Sequence, residues 1–478
     1  MSSLQTYLLE AFEKYIDNIA IITGEGRKIY YDELFERTKK WYCFIKECYG
    51  SEKRIIIKLA NIEDTIVAML ACLLSNNTFI PLENQCTEVR ERQVKEVINN
   101  FVEINDRNIN EESELVFEIE KFNLNIPTYI YFTSGTTGKP KGVLGKNTSL
   151  LHYVLWEIKE FGINEKDRFG QITNVMFDPF LRDVFVPLFS GATIIIRPKL
   201  DIVFSSHLFS RWIKDKAITC IHCTPSVLNM SLSISEKNNL ISLRYLFLAG
   251  EKILTLNVKE WIKIFPQHTI FVNLYGPTET TLAKCFHVID KEREYDWIVP
   301  VGRPIADESV YILTCDGDEC EPCELGEVCI DMKYGSWGYI DGIPVDKFEK
   351  NIKKIHQLIY HTGDIGYYDK GEFVIVGRKD RQVKLNGIRI ELEGLENLIQ
   401  QNDYVENVAV TFAANKLIIF IVLKAEIDNY VSLIKQQILE SLSIRTLKCK
   451  IIRVNTIEIT DNGKKDYKRL SAENYDHC

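Results

Sequence analysis

The sequence predicts an α/β protein. A large N-terminal domain of stacked, mostly parallel sheets with helices is followed by a small α+β C-terminal domain. Three observations carry this. Continuous apolar runs of strand length alternate with helical patterns through the first 280 residues or so, as expected for parallel strands covered on both faces. After about residue 285 short strands and turns take over, expected to form a distorted β-barrel part of the same domain. A second change near Gly377–Asp380 opens a last unit of normal domain size, placing the boundaries at 1–379 and 380–478.

The predicted strands are RIIIKLA (54–60), TFIPLE (78–83), IPTYIYF (126–132), ATIIIRP (192–198), ITCIHC (218–223), LRYLFLAG (243–250) and TIFVNLYG (269–276). A helix is predicted from Ile62 to Leu74, and Asn99–Glu120, acidic and Asn-rich, reads as a surface connection. The C-terminal unit reads as strand VKLNGIRI, helix ELEGLENLIQQ, strands ENVAVTF and KLIIFIVLK, helix NYVSLIKQQILESL and strand CKIIRV.

At 478 residues the chain exceeds what one hydrophobic core usually spans. Its 46% apolar and 26% charged residues are ordinary for a globular protein, and the net charge of −9, without a basic tract, argues against nucleic-acid binding. The N-terminus lacks the charged start and apolar core of a signal peptide, and no apolar run approaches the ~20 residues of a membrane helix. The expected location is cytoplasmic, without a membrane partner. The 13 cysteines are therefore expected as free thiols. Cys320 and Cys323 have the x-x spacing of a zinc knuckle, but Cys315 and Cys329 do not supply a matching pair. The segment reads instead as a hairpin, VYILTC and EVCI around an acidic turn.

The run YIYFTSGTTGKPKG (129–142) is the most informative stretch. A loop of Thr133, Ser134, Gly135, Thr136, Thr137, Gly138 and Lys139 follows a predicted strand. Its glycines permit close backbone approach, and its hydroxyls, amides and lysine suit a polyphosphate. It is not a Walker loop: the glycine spacing is too short and Pro140 follows the lysine.

With KIYYDEL (28–34), IPLENQ (80–85), FDPFLRDVFVPLFSGAT (177–193), NLYGPTETT (273–281), GEVCI (326–330), YHTGD (360–364), GRKDRQVKLNGIRIELEGLE (377–396) and NGKKD (462–466), this run resembles, in order, the motif set of the adenylate-forming superfamily. That superfamily comprises acyl- and aryl-CoA ligases, luciferases and the adenylation domains of nonribosomal peptide synthetases. The segments after Asp178 resemble the peptide-synthetase domains most. The proline-rich run that usually precedes the last motif is not recognisable in SLSIRTLKCKIIRV.

The resemblance implies ATP and Mg²⁺ as cofactors and a mobile C-terminal lid. It implies that Tyr275 stacks on adenine beside Asn273 and Gly276, with Gly250 and Glu251 lining the pocket by backbone. Asp364 would accept the ribose hydroxyls, supported by Arg378. Thr278 would touch the α-phosphate, and Glu279 would bind the metal; one carboxylate suffices for Mg²⁺ with phosphates and water. Asp380 would be the hinge. Lys464 would bridge substrate carboxylate and phosphate and stabilise developing charge, and Lys384 would serve thioester formation.

For the acid pocket, Asp178 resembles the aspartate that pairs with an amino acid's α-amino group. From the residues alone it also reads as the N-cap of a helix with Pro179 at the first position. The implied lining is Asp178, Pro179, Arg182, His222, Phe247, Ala249, Leu274, Leu282, Ala283 and Lys464. Arg182, with His222 as a second donor, suggests a carboxylate side chain such as that of α-aminoadipate, glutamate or aspartate; internal pairing of Arg182 with Asp183 or another acid is the alternative. No carrier domain follows Lys464, so the expected partner is a separate peptidyl carrier protein bearing phosphopantetheine. An acyl- or aryl-CoA ligase and a catalytically silent nucleotide-binding module are the competing readings of the chain.

Overall fold

The computed structural model describes residues 3–109, 113, 115–133, 140–198, 202, 205–231, 234–342, 348–350, 358–379, 381–385, 388–425, 427–442, 446–457 and 465–472. They fall into two compact units. The larger comprises Met1–Asn84, Asn100–Phe132 and Gly142–Lys379; the smaller comprises Gln85–Asn99, Thr133–Lys141 and Asp380–Cys478.

The larger unit is built on a nine-stranded sheet. Its centre is parallel, running Ile270–Tyr275, Tyr245–Ala249, Cys220–Cys223, Arg168–Gln171, Thr193–Ile196 and Ile19–Ile22. Antiparallel strands close both edges. Four of the predicted apolar runs sit here, each a little shorter than expected because their flanking residues turn into loops. A second sheet orders Val102–Asn105, Arg54–Lys58, Thr78–Pro81, Tyr129–Thr133 and Lys141–Gly145. Val102–Asn105 lies in the stretch read as a surface connection; it pairs in parallel with Arg54–Lys58 and buries Ile104. The helix Ile62–Leu74 has the expected bounds and is buried from Thr65 to Leu74, because Ile66–Leu74 is apolar all round.

After residue 300 the chain forms an antiparallel sheet of five strands, Val310–Leu313, Gly326–Asp331, Leu358–Asp369, Phe348–Lys350 and Glu372–Arg378. The expected hairpin is present as Val310–Leu313 against Gly326–Asp331. Among the described residues this sheet does not close into a barrel.

In the smaller unit, Val405–Ala413, Lys416–Leu423 and Cys449–Arg453 form a three-stranded sheet packed by the helices Leu392–Gln400 and Tyr430–Leu442. The helix Glu88–Ile98 joins this unit: the Thr87 hydroxyl donates to the Glu440 carbonyl at 2.7 Å. VKLNGIRI, expected as one strand, is two short antiparallel strands, Gln382–Leu385 and Ile388–Glu391. The Asn-Gly pair between them is a strong hairpin signal that the apolar alternation concealed.

Candidate active site

The last parallel strand of the main sheet, Ile270–Tyr275, delivers Tyr275 to its C-terminal end, where ligands sit in open α/β sheets. The Tyr275 hydroxyl donates to Asp364 Oδ2 at 2.6 Å, and Arg378 Nη1 holds Asp364 Oδ1 at 2.5 Å. Asp364 and Arg378 face each other across two antiparallel strands, so sheet register sets the pair. Arg378 also donates to the Thr362 carbonyl at 3.0 Å, and the Thr362 hydroxyl accepts from the Asp364 amide at 2.9 Å. Burial, then the Asp364 charge, pushes the Tyr275 phenol well above its ordinary value, so it stays a donor. A carboxylate has about four acceptor positions, so these two bonds leave capacity for a vicinal diol. Asn273, on the same strand, is buried and donates to the Pro300 carbonyl at 2.8 Å. Gly250 turns the neighbouring strand's end at φ +88°, and Glu251 Oε2 accepts from the Ser226 amide and hydroxyl at 2.9 and 2.6 Å.

Gly276 to Lys284 fold into a tight loop, closed by the Lys284 amide donating to the Tyr275 carbonyl at 2.6 Å. A Cβ on Gly276 would lie 2.0 Å from the Leu282 carbonyl oxygen, so only glycine fits. Thr281 and Leu282 both adopt left-handed backbone, at φ 69° and 57°. That is costly for a β-branched residue and is held by the surrounding loop. The strained loop carries Thr278 and Glu279 and turns Leu282 and Ala283 into the core beside Leu274. Glu279 is fully buried and accepts from the Tyr339 hydroxyl at 2.6 Å. A buried hard-oxygen anion beside a threonine hydroxyl fits a small divalent cation such as Mg²⁺.

Asp178 is not a helix cap. The helix runs Phe180–Ser190 with Pro179, itself at φ −60°, in the cap position, and no side chain caps it. This releases the Asp178 carboxylate, whose Oδ1 accepts from the Thr278 hydroxyl at 2.9 Å. Burial raises the Asp178 pKa to about 6, the Thr278 bond opposing and the Glu279 charge adding to it. A carboxyl held this high gains from a cation placed beside it.

His222, Phe247, Ala249 and Leu274 share one face of the main sheet, by parallel register of His222 with Phe247 and of Ala249 with Leu274. Over that face lie the helices Asn147–Phe161 and Phe180–Ser190. They bring a buried network that the sequence reading missed. His222 Nδ1 meets Asp183 Oδ1 and Nε2 meets Glu157 Oε1, both at 2.8 Å; Tyr153 donates to the other Glu157 oxygen. The second donor expected of His222 is thus already engaged. Arg182 lies beside Tyr153, Asp183 and Glu157, which outweigh burial and keep it charged. Its buried Nε has no hydrogen-bond partner among the described residues. Glu157 announces itself only as an acid on the apolar stripe of its helix, with Leu150, Tyr153, Val154 and Phe161. Tyr339 carries no comparable signal.

Thr133 is the buried last residue of its strand, whereas Ser134, Gly135, Thr136, Thr137, Gly138, Lys139, Asp380 and Lys464 lie outside the described residues. Lys384 lies on the short hairpin of the smaller unit, opposite Arg389. Lys465 is anchored: its Nζ donates to Glu396 Oε2 at 2.9 Å and to the Val408 carbonyl at 2.6 Å. Arg381, Tyr467 and the Val410 amide complete the shell of Glu396.

The chain is similar to bacitracin synthase 3 of Bacillus licheniformis, 26% identical over 485 residues that cover 95% of this chain but only 8% of that protein. Among solved structures it is similar to the Vibrio cholerae adenylation domain AlmE in complex with glycyl-adenosine-5'-phosphate (TM-score 0.83, 21% identity, 99% and 98% of the two chains covered). It is likewise similar to holo-PA1221, a peptide-synthetase protein containing adenylation and carrier domains (TM-score 0.83, 22% identity, 98% and 84% covered). These structural likenesses show the fold. Residues 88–340, more than half of the chain, match the family described as AMP-binding enzyme, and they include Asp178, Tyr275, Thr278 and Glu279. With the motif order, the fold and this match in agreement, the chain belongs to the AMP-binding enzyme family.

Proposed function

We propose that this enzyme uses ATP to convert an amino acid to its aminoacyl-AMP, releasing pyrophosphate, and then passes the aminoacyl group to the phosphopantetheine thiol of a carrier protein. The observation that carries the reading is the continuity between Asp364 and Asp178. One strand and its loop hold Tyr275 against the first and Thr278 against the second. Asp364 and Arg378 take the ribose, and the Tyr275 ring takes the adenine. Asp178 takes the α-ammonium group, which lowers the cost of its own burial. Thr278 then lies between amino acid and α-phosphate. Glu279 would hold Mg²⁺, which supplies charge neutralisation on the phosphates when bound.

The chemistry is assigned to Lys464. The Asn-Gly-Lys run, which resembles the family's last motif, supports Lys464 as the residue that meets the two anions, and its neighbour Lys465 is engaged by Glu396. A lysine there cancels their repulsion as oxygen attacks phosphorus.

For the side chain, the buried Arg182 Nε supports an acceptor on the substrate, as in an acidic amino acid. Glu157 favours a second reading, a neutral polar side chain, because Arg182 already has acids beside it. Amino-acid-dependent ATP–pyrophosphate exchange tests the whole proposal. The panel should include aspartate, glutamate and α-aminoadipate against asparagine, glutamine, serine and threonine. Exchange with an amino acid, lost in Lys464→Ala, is the expected result. Turnover only with a plain fatty or aryl acid and CoA would make the protein a CoA ligase instead.

A further inference from the structure

Outside the adenylation site, one cluster has the composition of a metal centre. Glu327 and Cys329 stand two residues apart on the strand Gly326–Asp331, so they share a face. His361 is the cross-strand partner of Cys329. Between Glu327 and Cys329 the register slips: Glu327 pairs with Ile365 while Cys329 pairs with His361. The neighbouring strand therefore bulges at Thr362–Asp364, and a bulge re-aims side chains. The result is convergence. His361 Nδ1 lies 3.4 Å from Cys329 Sγ and 3.3 Å from Glu327 Oε2. The donor atoms of all three residues lie within 4.8 Å of one another.

The two spacings from His361 Nδ1 are close to those around a shared ion. Zinc bonds of about 2.0–2.3 Å to nitrogen, oxygen and sulfur at tetrahedral angles put neighbouring donors roughly 3.4–3.6 Å apart. Hydrogen bonding explains the convergence less well, since Nδ1 carries at most one proton and two anionic-type acceptors approach it. The supporting shell is also in place. Glu327 Oε1 accepts from the Gly363 amide at 2.9 Å, which fixes the carboxylate with Oε2 towards the cluster. Cys329 is fully buried, while Glu327 and His361 are partly exposed and offer an entry path. The one competing cation described here, Lys379, has its Nζ 3.8 Å from Glu327 Oε2 and is 66% exposed, free to swing aside.

We propose that Glu327, Cys329 and His361 bind one divalent transition metal of the zinc class, clamping the bulge that carries Asp364. The mixed sulfur, nitrogen and oxygen set selects zinc or cobalt over magnesium. With three protein ligands among the described residues, water can take the fourth position. The assignment does not depend on which acid the enzyme activates. It also differs from the cysteine spacing that first suggests a metal, since Cys320 and Cys323 are not in this cluster.

The test uses the full chain, stripped with chelator and titrated with Zn²⁺ against a chromophoric competitor, and with Co²⁺ by absorption. One equivalent should bind, and Co²⁺ should give a thiolate charge-transfer band. Cys329→Ser should abolish the band, and His361→Gln should weaken Zn²⁺ binding by more than the about 10–100-fold that losing a group supporting a ligand costs. The double variant Cys320→Ser/Cys323→Ser should change neither. Absence of Zn²⁺ binding, or binding lost in the double variant and kept in His361→Gln, overturns the proposal. If Cys329→Ser fails to fold, His361→Gln alone decides, because His361 is partly exposed.

Discussion

The Thr278 hydroxyl donates to Asp178 across 100 residues of sequence, at 2.9 Å. This bond joins the loop after the last parallel strand to the start of the pocket helix. Asp178→Asn keeps the size and the acceptor for Thr278 but removes the charge. It should cost amino-acid binding about 2–5 kcal/mol, the range for truncating one partner of a buried charge pair. The KM for amino acid should rise accordingly while the KM for ATP changes little; equal effects on both would remove the α-ammonium role.

The same carboxyl predicts a pH profile. Burial raises Asp178 to about 6, and only the ionised form pairs with an ammonium group. Below about pH 6 the KM for amino acid should rise roughly tenfold per unit; above it the KM should level off. Asp178→Asn should lack this limb. An unchanged limb in the variant would place the titrating group elsewhere.

Tyr275→Phe keeps the ring and removes the bond to Asp364. The expected loss in ATP affinity is about 1.5–3 kcal/mol, as for a hydrogen bond to a charged group. Tyr275→Ala also removes the ring and should lose a further 1–3 kcal/mol or so of stacking. Equilibrium binding of ATP separates the two; equal losses would mean that the ring does not touch the base.

The His222 network should show in stability. Burial opposes ionisation of both His222 and Glu157, but their mutual attraction and hydrogen bonds win, raising the histidine and lowering the acid. His222 therefore contributes stability in full below its ordinary 6.5 and loses it as pH rises through its raised value. Glu157 contributes above its ordinary 4.5 and loses it as pH falls through its lowered value. Melting temperature should plateau between, and His222→Ala should flatten the profile and cost about 3–5 kcal/mol. Glu157→Gln, by releasing Arg182, should shift the exchange panel towards acidic amino acids; an unmoved panel would separate Arg182 from side-chain selection.

Glu396 tests the lysine assignment. Burial alone would raise it, but the Arg381 and Lys465 bonds hold it below the usual carboxylate range. Lys465→Ala should reduce kcat less than Lys464→Ala and lower the melting temperature more. The reverse order would hand the chemistry to Lys465.

Sequence order made the parallel sheet legible, because strands buried on both faces leave continuous apolar runs such as Tyr245–Ala249. It also made Tyr275, Asp364 and Asp178 legible, because each sits in a local motif. Glu157 was hidden: its role exists only where helix Asn147–Phe161 crosses His222, and local sequence records no such crossing. The cap reading of Asp178 failed for a local reason, a one-residue shift at Pro179. The Glu327–Cys329–His361 cluster depends on a register slip that no spacing rule contains.

The helix Glu88–Ile98 belongs to the same compact unit as the last hundred residues, and the bond from Thr87 to Glu440 spans 353 positions. On a ribosome adding about 5–20 residues per second, that helix waits roughly 20–70 s for its partner. Until then the helix lacks its packing against Tyr430–Leu442 and the bond from Thr87. A chain cut at residue 379 would keep that condition permanently. The nascent protein therefore needs its final segment to shelter one of its earliest helices, and chaperone dependence should track translation past Glu440.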